Sequence, residues 1–175
     1  MALMDRSAVL HAFDALAAAL QRRGVDGRVY VVGGAAMALA YDHRRSTRDV
    51  HAVFAPQAEV AAAVREVADD LGLPPDWLND AVKGFVPGVD IDAVPVYSKP
   101  GLEVAAASAR TMLGMKVLAS RPEFDAADIR LLAGLLDLST AEDVLAVVTG
   151  MYPTGLIPPR AEFLVAEMFG RPGRG

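Results

Sequence analysis

The chain contains no cysteine. Disulfides, zinc–thiolate centres and cysteine nucleophiles are therefore excluded, and the absence fits a reducing, cytoplasmic setting. Long apolar runs are also missing. Although 53% of the 175 residues are hydrophobic, no uninterrupted stretch reaches the roughly 18–20 residues a helix needs to cross a bilayer. The apolar opening, residues 1–20, is broken by Asp5, Arg6, His11 and Asp14 and shows no cleavage signature, so it reads as an amphipathic helix rather than a targeting peptide. No membrane partner is expected. Nor is there an excess of positive charge: the net charge of −5 argues against a broad face that grips long nucleic acid by its phosphates. A local basic site remains open, because Arg44, Arg45 and Arg48 lie close together. Repeats and low-complexity linkers are absent. A chain of this length can bury one full core, or a core with a helical extension.

What is present is a sequence of well-separated periodic segments. Val9, Leu10, Phe13, Leu16, Ala17 and Leu20 recur at helical spacing over residues 7–23, with Ser7 as a cap and Gly24 and Gly27 as breaks. The run Val29–Val32, bounded by Gly27 and Gly33, reads as a buried strand. Gly33-Gly34 turns the chain into a helical segment up to Tyr41. After a polar connection, residues 49–54 alternate and read as a second strand, adjacent to the first and ended by Pro56. Residues 57–71 return to helical spacing, and 76–80 read as a short helical piece around Trp77, taken as a core anchor. Residues 89–97 alternate again, with Pro95 marking an edge, and 102–107 are a further strand. From there on only helices are expected, over 109–120, 125–136, 139–149 (capped by Ser139 or Thr140) and 160–169, followed by a disordered tail at 170–175. The expected organisation is an α/β core over 1–108 and a helical part over 109–175, with a mixed, mainly antiparallel sheet.

Two local patterns carry chemistry. A strand that ends in Gly-Gly and feeds a helix points backbone N–H groups outward where the helix dipole favours an anion, and the missing side chains let a phosphate approach. Taken alone, a turn such as Gly33-Gly34 is more often a packing device. Asp49 and His51, at i and i+2 on a strand, share a face. Such a pair can hold a divalent cation against a triphosphate, or simply form a solvated strand edge.

Together, Val-Val-Gly33-Gly34-Ala-Ala and Thr47-Arg48-Asp49-Val50-His51 resemble the signature of the DNA polymerase β-like nucleotidyltransferase superfamily. The wider match is to small stand-alone bacterial proteins of that fold, similar to AbiEii-type toxins. It is carried also by Pro74-Pro75-Asp76-Trp77-Leu78-Asn79-Asp80, by Leu113-Gly114-Met115-Lys116 and by Asp125-Ala126-Ala127-Asp128-Ile129, and it spans about residues 8–165. The resemblance implies a nucleotidyltransferase fold in which Gly33 and Gly34 cradle the phosphates of a nucleoside triphosphate and Thr47 and Arg48 border that pocket. Asp49 and His51 would hold Mg²⁺ or Mn²⁺, with a third carboxylate drawn from Asp90, Asp92 or Glu103, Asp92 being preferred. Lys116, placed at the edge of an apolar helix face formed by Met112, Met115 and Leu118-Ala119, would meet a phosphate as a point charge, oriented by Asp128.

This sequence departs from the pattern twice. Ala35 stands where a serine is common, and His51 stands where a second aspartate is expected. Imidazole is a poorer ligand for Mg²⁺ than a carboxylate and is better tolerated by Mn²⁺. Two functions remain in view. One is an enzyme that transfers a nucleotide from a nucleoside triphosphate to an acceptor hydroxyl, an RNA or tRNA end or a protein side chain, as the toxin partnered by an antitoxin protein. The other is a nucleotidyltransferase-fold binding protein that has lost metal chemistry.

Overall fold

In the computed structural model, which describes residues 3–170, the chain divides into two units, one containing the residues up to Gly84 together with Ile91–Ala107 and the other containing Phe85–Asp90 with the chain from Ser108 onward. Most of the tail expected to be disordered, residues 171–175, lies outside the described residues. No helix of the described residues is long and apolar enough to cross a membrane.

The first unit opens with a two-residue strand, β1 (Met4–Asp5), and helix α1 (Arg6–Arg22). Val9, Phe13, Leu16 and Leu20 fall on one side of α1 and are fully buried, as the i, i+4, i+7 spacing requires. The cap is Asp5 rather than Ser7. The Asp5 carboxylate accepts from the Ala8 N–H at 2.8 Å and from the Ser7 hydroxyl at 2.7 Å, so the helix starts one residue early and Ser7 serves the cap. Strand β2 (Gly27–Val32) follows, then helix α2 (Gly33–Ala36), continued by a wider π-helical turn over Met37–Tyr41. Strand β3 (Ser46–Thr47) pairs antiparallel with β1. Strand β4 (Val50–Ala55) and helix α3 (Gln57–Leu71), ended by Gly72 in the left-handed conformation, complete the first half.

Three more strands close the sheet: β5 (Leu78–Asn79), β6 (Val94–Lys99) and β7 (Leu102–Ala106). The five-stranded order is β5-β4-β2-β7-β6. β2 runs antiparallel to β4 and parallel to β7; β4 is parallel to β5, and β6 is antiparallel to β7. The sheet is thus mixed, with β2 and β4 adjacent as the sequence pattern implies. Helices α1 and α3 lie on the face presented by Gly27, Val29 and Val31. At Gly27 a side chain would strike Leu20 Cδ1 at 2.7 Å, so glycine sets the helix-to-sheet distance.

Two segments expected to take one form take another. Residues 76–80 are not helical: Leu78 and Asn79 extend the sheet beside Val50 and His51. Nor do residues 89–93 form a strand. β6 begins only at Val94, opposite Ala106, the last residue of β7; residues 89–93 have no partner strand among the described residues, and Val89 and Ile91 are exposed. Pro95 falls on the edge strand beside a register shift, where its missing N–H costs no ladder bond.

The second unit is helical: α4 (Ala109–Ala119), α5 (Pro122–Leu135), α6 (Ala141–Met151), a single 3₁₀ turn (Thr154–Leu156) and α7 (Pro159–Phe169). Ser108 caps α4 and Thr140 caps α6. Its core is built from Met112, Leu113, Val117, Ile129, Leu132, Val144, Val148 and Val165. The buried face of α4 is therefore Thr111 to Leu113 with Lys116 and Val117. The face expected from Met112, Met115, Leu118 and Ala119 is rotated, and Met115, Leu118 and Ala119 are only half-buried.

Trp77 is the largest buried side chain of the first unit. It is 0% exposed, its ring centroid lies 6.3 Å from that of Phe13, and its indole N–H donates to the Val64 carbonyl at 3.1 Å. Replacing it removes an aromatic anchor and its hydrogen bond to α3. Trp77→Ala is expected to destabilise the protein by about 3–5 kcal/mol, measured by urea unfolding followed with circular dichroism; a loss of less than about 1 kcal/mol would show that the site collapses around the cavity.

Candidate functional site

The start of α2 and the residues entering β4 are brought together by the β2–β4 pairing, in which Val32 stands opposite His51. Gly33 has φ of +68°, a conformation that glycine adopts without strain. A side chain there would come to 3.8 Å from His51 Cδ2, while one at Gly34 would come to 3.0 Å from Thr47 Oγ1. Gly34 is therefore the residue that lets Thr47 approach. Thr47 is buried, and its hydroxyl donates to the Asp49 carbonyl at 2.7 Å. That bond fixes the bend Arg48-Asp49, which lies just before β4 rather than within it. Arg48 is exposed on this bend.

Asp49 and His51 do converge. His51 Nε2 lies 3.5 Å from Asp49 Oδ2, with their side chains 36% and 27% exposed. A third residue completes the group. Asn79 Nδ2 donates to the same Asp49 oxygen at 3.1 Å, and Asn79 Oδ1 lies 3.0 Å from His51 Nδ1. Asn79 arrives there through the parallel register His51↔Asn79, and Trp77 secures the entry, its carbonyl accepting from the Val50 N–H at 2.6 Å. Asn79 lies in one of the segments that carry the resemblance but was given no role there, because a strand of two residues carries no periodicity to place it beside His51.

The third carboxylate does not join this group. Among the described residues no set of three or more His, Asp or Glu side chains is placed to hold a metal ion. Asp92 is exposed in a turn, because the strand expected to carry it is not formed. Asp90 accepts from the Ser108 N–H at 2.8 Å, in the helical unit. Glu103 shares the sheet face of His51, but it stands opposite Arg28, and Arg28 is four residues along β2 from Val32, roughly 13 Å. Arg28 and Glu103, with Tyr30, Val53, Pro95 and Tyr97, line an open groove of about 520 Å³ on that face, and its lining includes neither Asp49 nor His51.

The helical unit holds the other predicted pair. Lys116 Nζ lies 2.9 Å from Asp128 Oδ2 and 2.8 Å from Asp125 Oδ1. Asp125 also receives the Arg121 guanidinium at 2.9 Å. Lys116 is not at the edge of an apolar face: it is 8% exposed, and Asp125 and Asp128 are 0% and 4% exposed. Asp125, for which no role was expected, is the more deeply buried carboxylate. Spacing at i and i+3 on α5 sets both aspartates against one side of α4.

Compared with family models, with curated proteins and with solved structures, the chain matches none.

Two buried carboxylates around one ammonium are stable only while the cation is present, since an unpaired buried charge is far costlier than the pair is favourable. Lys116→Ala is therefore expected to lower stability by about 3–5 kcal/mol, read as a fall in the urea midpoint. An unchanged midpoint would mean that water reaches Asp125 and Asp128 and that the cluster is not a structural unit.

Proposed function

We propose that the chain is a metal-dependent nucleotidyltransferase of the nucleotidyltransferase fold, acting on an RNA or tRNA end as the toxin of a toxin–antitoxin pair. The observation that carries this reading is the convergence of the Gly33-Gly34 turn, Thr47 and the Asp49–His51 pair at one end of the β2–β4 pairing. The mixed sheet with helices on one face supports it, and so does the resemblance of these same segments to the superfamily signature.

In this reading the backbone at the Gly33-Gly34 turn receives the phosphates of the nucleoside triphosphate, approached from the side of Gly33 because Thr47 packs against Gly34. Thr47 holds the Asp49 bend in place, and Arg48 borders the phosphates. The acceptor hydroxyl oxygen forms a bond to the α-phosphorus as the bond to the β-phosphate oxygen breaks; pyrophosphate leaves and the hydroxyl proton is released. A divalent cation, when bound, neutralises the triphosphate and polarises the α-phosphoryl group.

The donors present fit one kind of ion better than another. Mg²⁺ is usually held by one or two carboxylates together with phosphate oxygens. Asp49 offers one carboxylate, and His51 adds a nitrogen 3.5 Å away, a pairing that suits Mn²⁺ more than Mg²⁺. Lys116 has no phosphate role in this reading, since its charge is already shared by Asp125 and Asp128.

A second reading is favoured by a specific observation, the histidine in the second ligand position with no third carboxylate among the described residues. It is a nucleotide-binding protein that no longer catalyses transfer. Labelled nucleoside triphosphates, total RNA and either Mn²⁺ or Mg²⁺ separate the two. Transfer is expected to be slow and faster with Mn²⁺, and His51→Asp is expected to raise the Mg²⁺-dependent rate by orders of magnitude. Nucleotide binding without transfer in either protein selects the second reading. Brisk Mg²⁺-dependent transfer that His51→Asp leaves unchanged removes residue 51 from the site.

A further inference from the structure

Asn79 makes four polar contacts, and together they allow one orientation of its amide. Nδ2 sits between two acceptors, Asp49 Oδ2 at 3.1 Å and the Asp76 carbonyl at 3.1 Å. Oδ1 receives the Ala81 N–H at 3.2 Å and faces His51 Nδ1 at 3.0 Å. Exchanging O and N would set oxygen against oxygen twice and an NH₂ group against an N–H. The amide is therefore fixed by its surroundings, which is how such orientations are assigned.

This has a consequence for His51. An acceptor at Nδ1 requires Nδ1 to carry the proton, and the hydrogen bond made by one ring nitrogen decides the state of the other. In the neutral ring Nε2 then bears a lone pair, and Nε2 faces Asp49 Oδ2 at 3.5 Å. Lone pair against carboxylate is a repulsive arrangement that a cation between them relieves.

We propose that Asn79 is the positioning residue of this site: it holds His51 in the Nδ1–H tautomer, so that Nε2 and Asp49 Oδ2 together present one nitrogen and one oxygen donor to a divalent cation such as Mn²⁺. The tautomer stands on the geometry alone, while its use as a ligand rests on the nucleotidyltransferase reading above. Asn79 acts as an outer partner of both ligands, orienting the ring through Oδ1 and the carboxylate through Nδ2. Outer partners of this kind typically contribute about 10–100-fold to metal affinity.

The test reads the ring directly. Long-range ¹H–¹⁵N correlation spectra distinguish the two neutral tautomers and the doubly protonated ring. The chain has three histidines, and His51→Gln identifies the signals of residue 51. At a pH well above the imidazole range, without metal, the protein is expected to show His51 as Nδ1–H. Asn79→Ala is expected to lose that preference and to weaken Mn²⁺ binding, followed by electron paramagnetic resonance of the free ion, by about 10–100-fold. Asn79→Asp keeps an acceptor for Nδ1–H but sets oxygen against Asp49 Oδ2 and the Asp76 carbonyl; it is expected to retain Nδ1–H at a cost in stability, a split that a merely structural role would not predict. A wild-type ring found as Nε2–H or doubly protonated overturns the proposal. So does an Asn79→Ala protein whose tautomer and Mn²⁺ affinity are unchanged. If the tautomer responds as expected while no variant transfers nucleotide, the transferase reading fails and the role of Asn79 stands.

Discussion

The pairing of Leu78 and Asn79 with Val50 and His51 is the contact on which the candidate site depends. It is only two residues long, and so short a ladder contributes little by itself. Its position comes from Trp77, which is fully buried against Phe13 and hydrogen-bonded to Val64 in α3. Burial of one large aromatic residue is worth several kcal/mol, enough to hold a segment that has no strand propensity to speak of. Asn79 follows two residues later and can only fall beside His51. The polar group Asp49–His51–Asn79 thus inherits its geometry from an apolar anchor on the other side of the strand.

The two polar clusters of the chain obey different rules. Around Asp49 and His51 the side chains are partly exposed, so solvent can compensate an imperfect arrangement, and a lone pair can face a carboxylate without unfolding the unit. Around Lys116 the ammonium and both carboxylates are buried, and only Arg121 reaches in from solvent. There two carboxylates meet one ammonium and one guanidinium, two negative charges against two positive. Low dielectric demands that near-neutrality. Lysine in such a setting is first a counter-ion. A position that reads as a candidate phosphate ligand from its neighbours is thereby drawn into the core by the two aspartates of α5.

Much of the α/β architecture was legible because the relevant signals are local. The period of 3.6 over residues 57–71 returns α3 with the bounds expected, since Pro56 and Gly72 mark its two ends. The β-branched run before Gly33-Gly34 returns β2, and Pro56 ends β4. Alternation failed at residues 89–93 because period two reports only that side chains would point to opposite faces; it does not supply a neighbouring strand. β7 ends at Ala106, opposite Val94, and among the described residues no strand lies beside residues 89–93. On α4 the helix itself was clear, but the choice of buried face was not, because lysine is scored as polar and its two partners lie on another helix.

The sequence by itself determined most of the helices, strands β2 and β4 and the Gly-Gly turn, because their signals are local; Asp49 falls on the bend before β4, and the Thr47 hydrogen bond that shapes this bend is a tertiary outcome. Only the tertiary structure decided which residues complete the Asp49–His51 pair and which are drawn away from it. Asn79 is brought in by strand register and Asp92 is left exposed in a turn, whereas Lys116 is enclosed between Asp125 and Asp128. Each of these outcomes depends on contacts between residues distant in the chain, set by where apolar surface is buried and by which buried charges find a partner. Neither is encoded in the spacing of neighbouring residues.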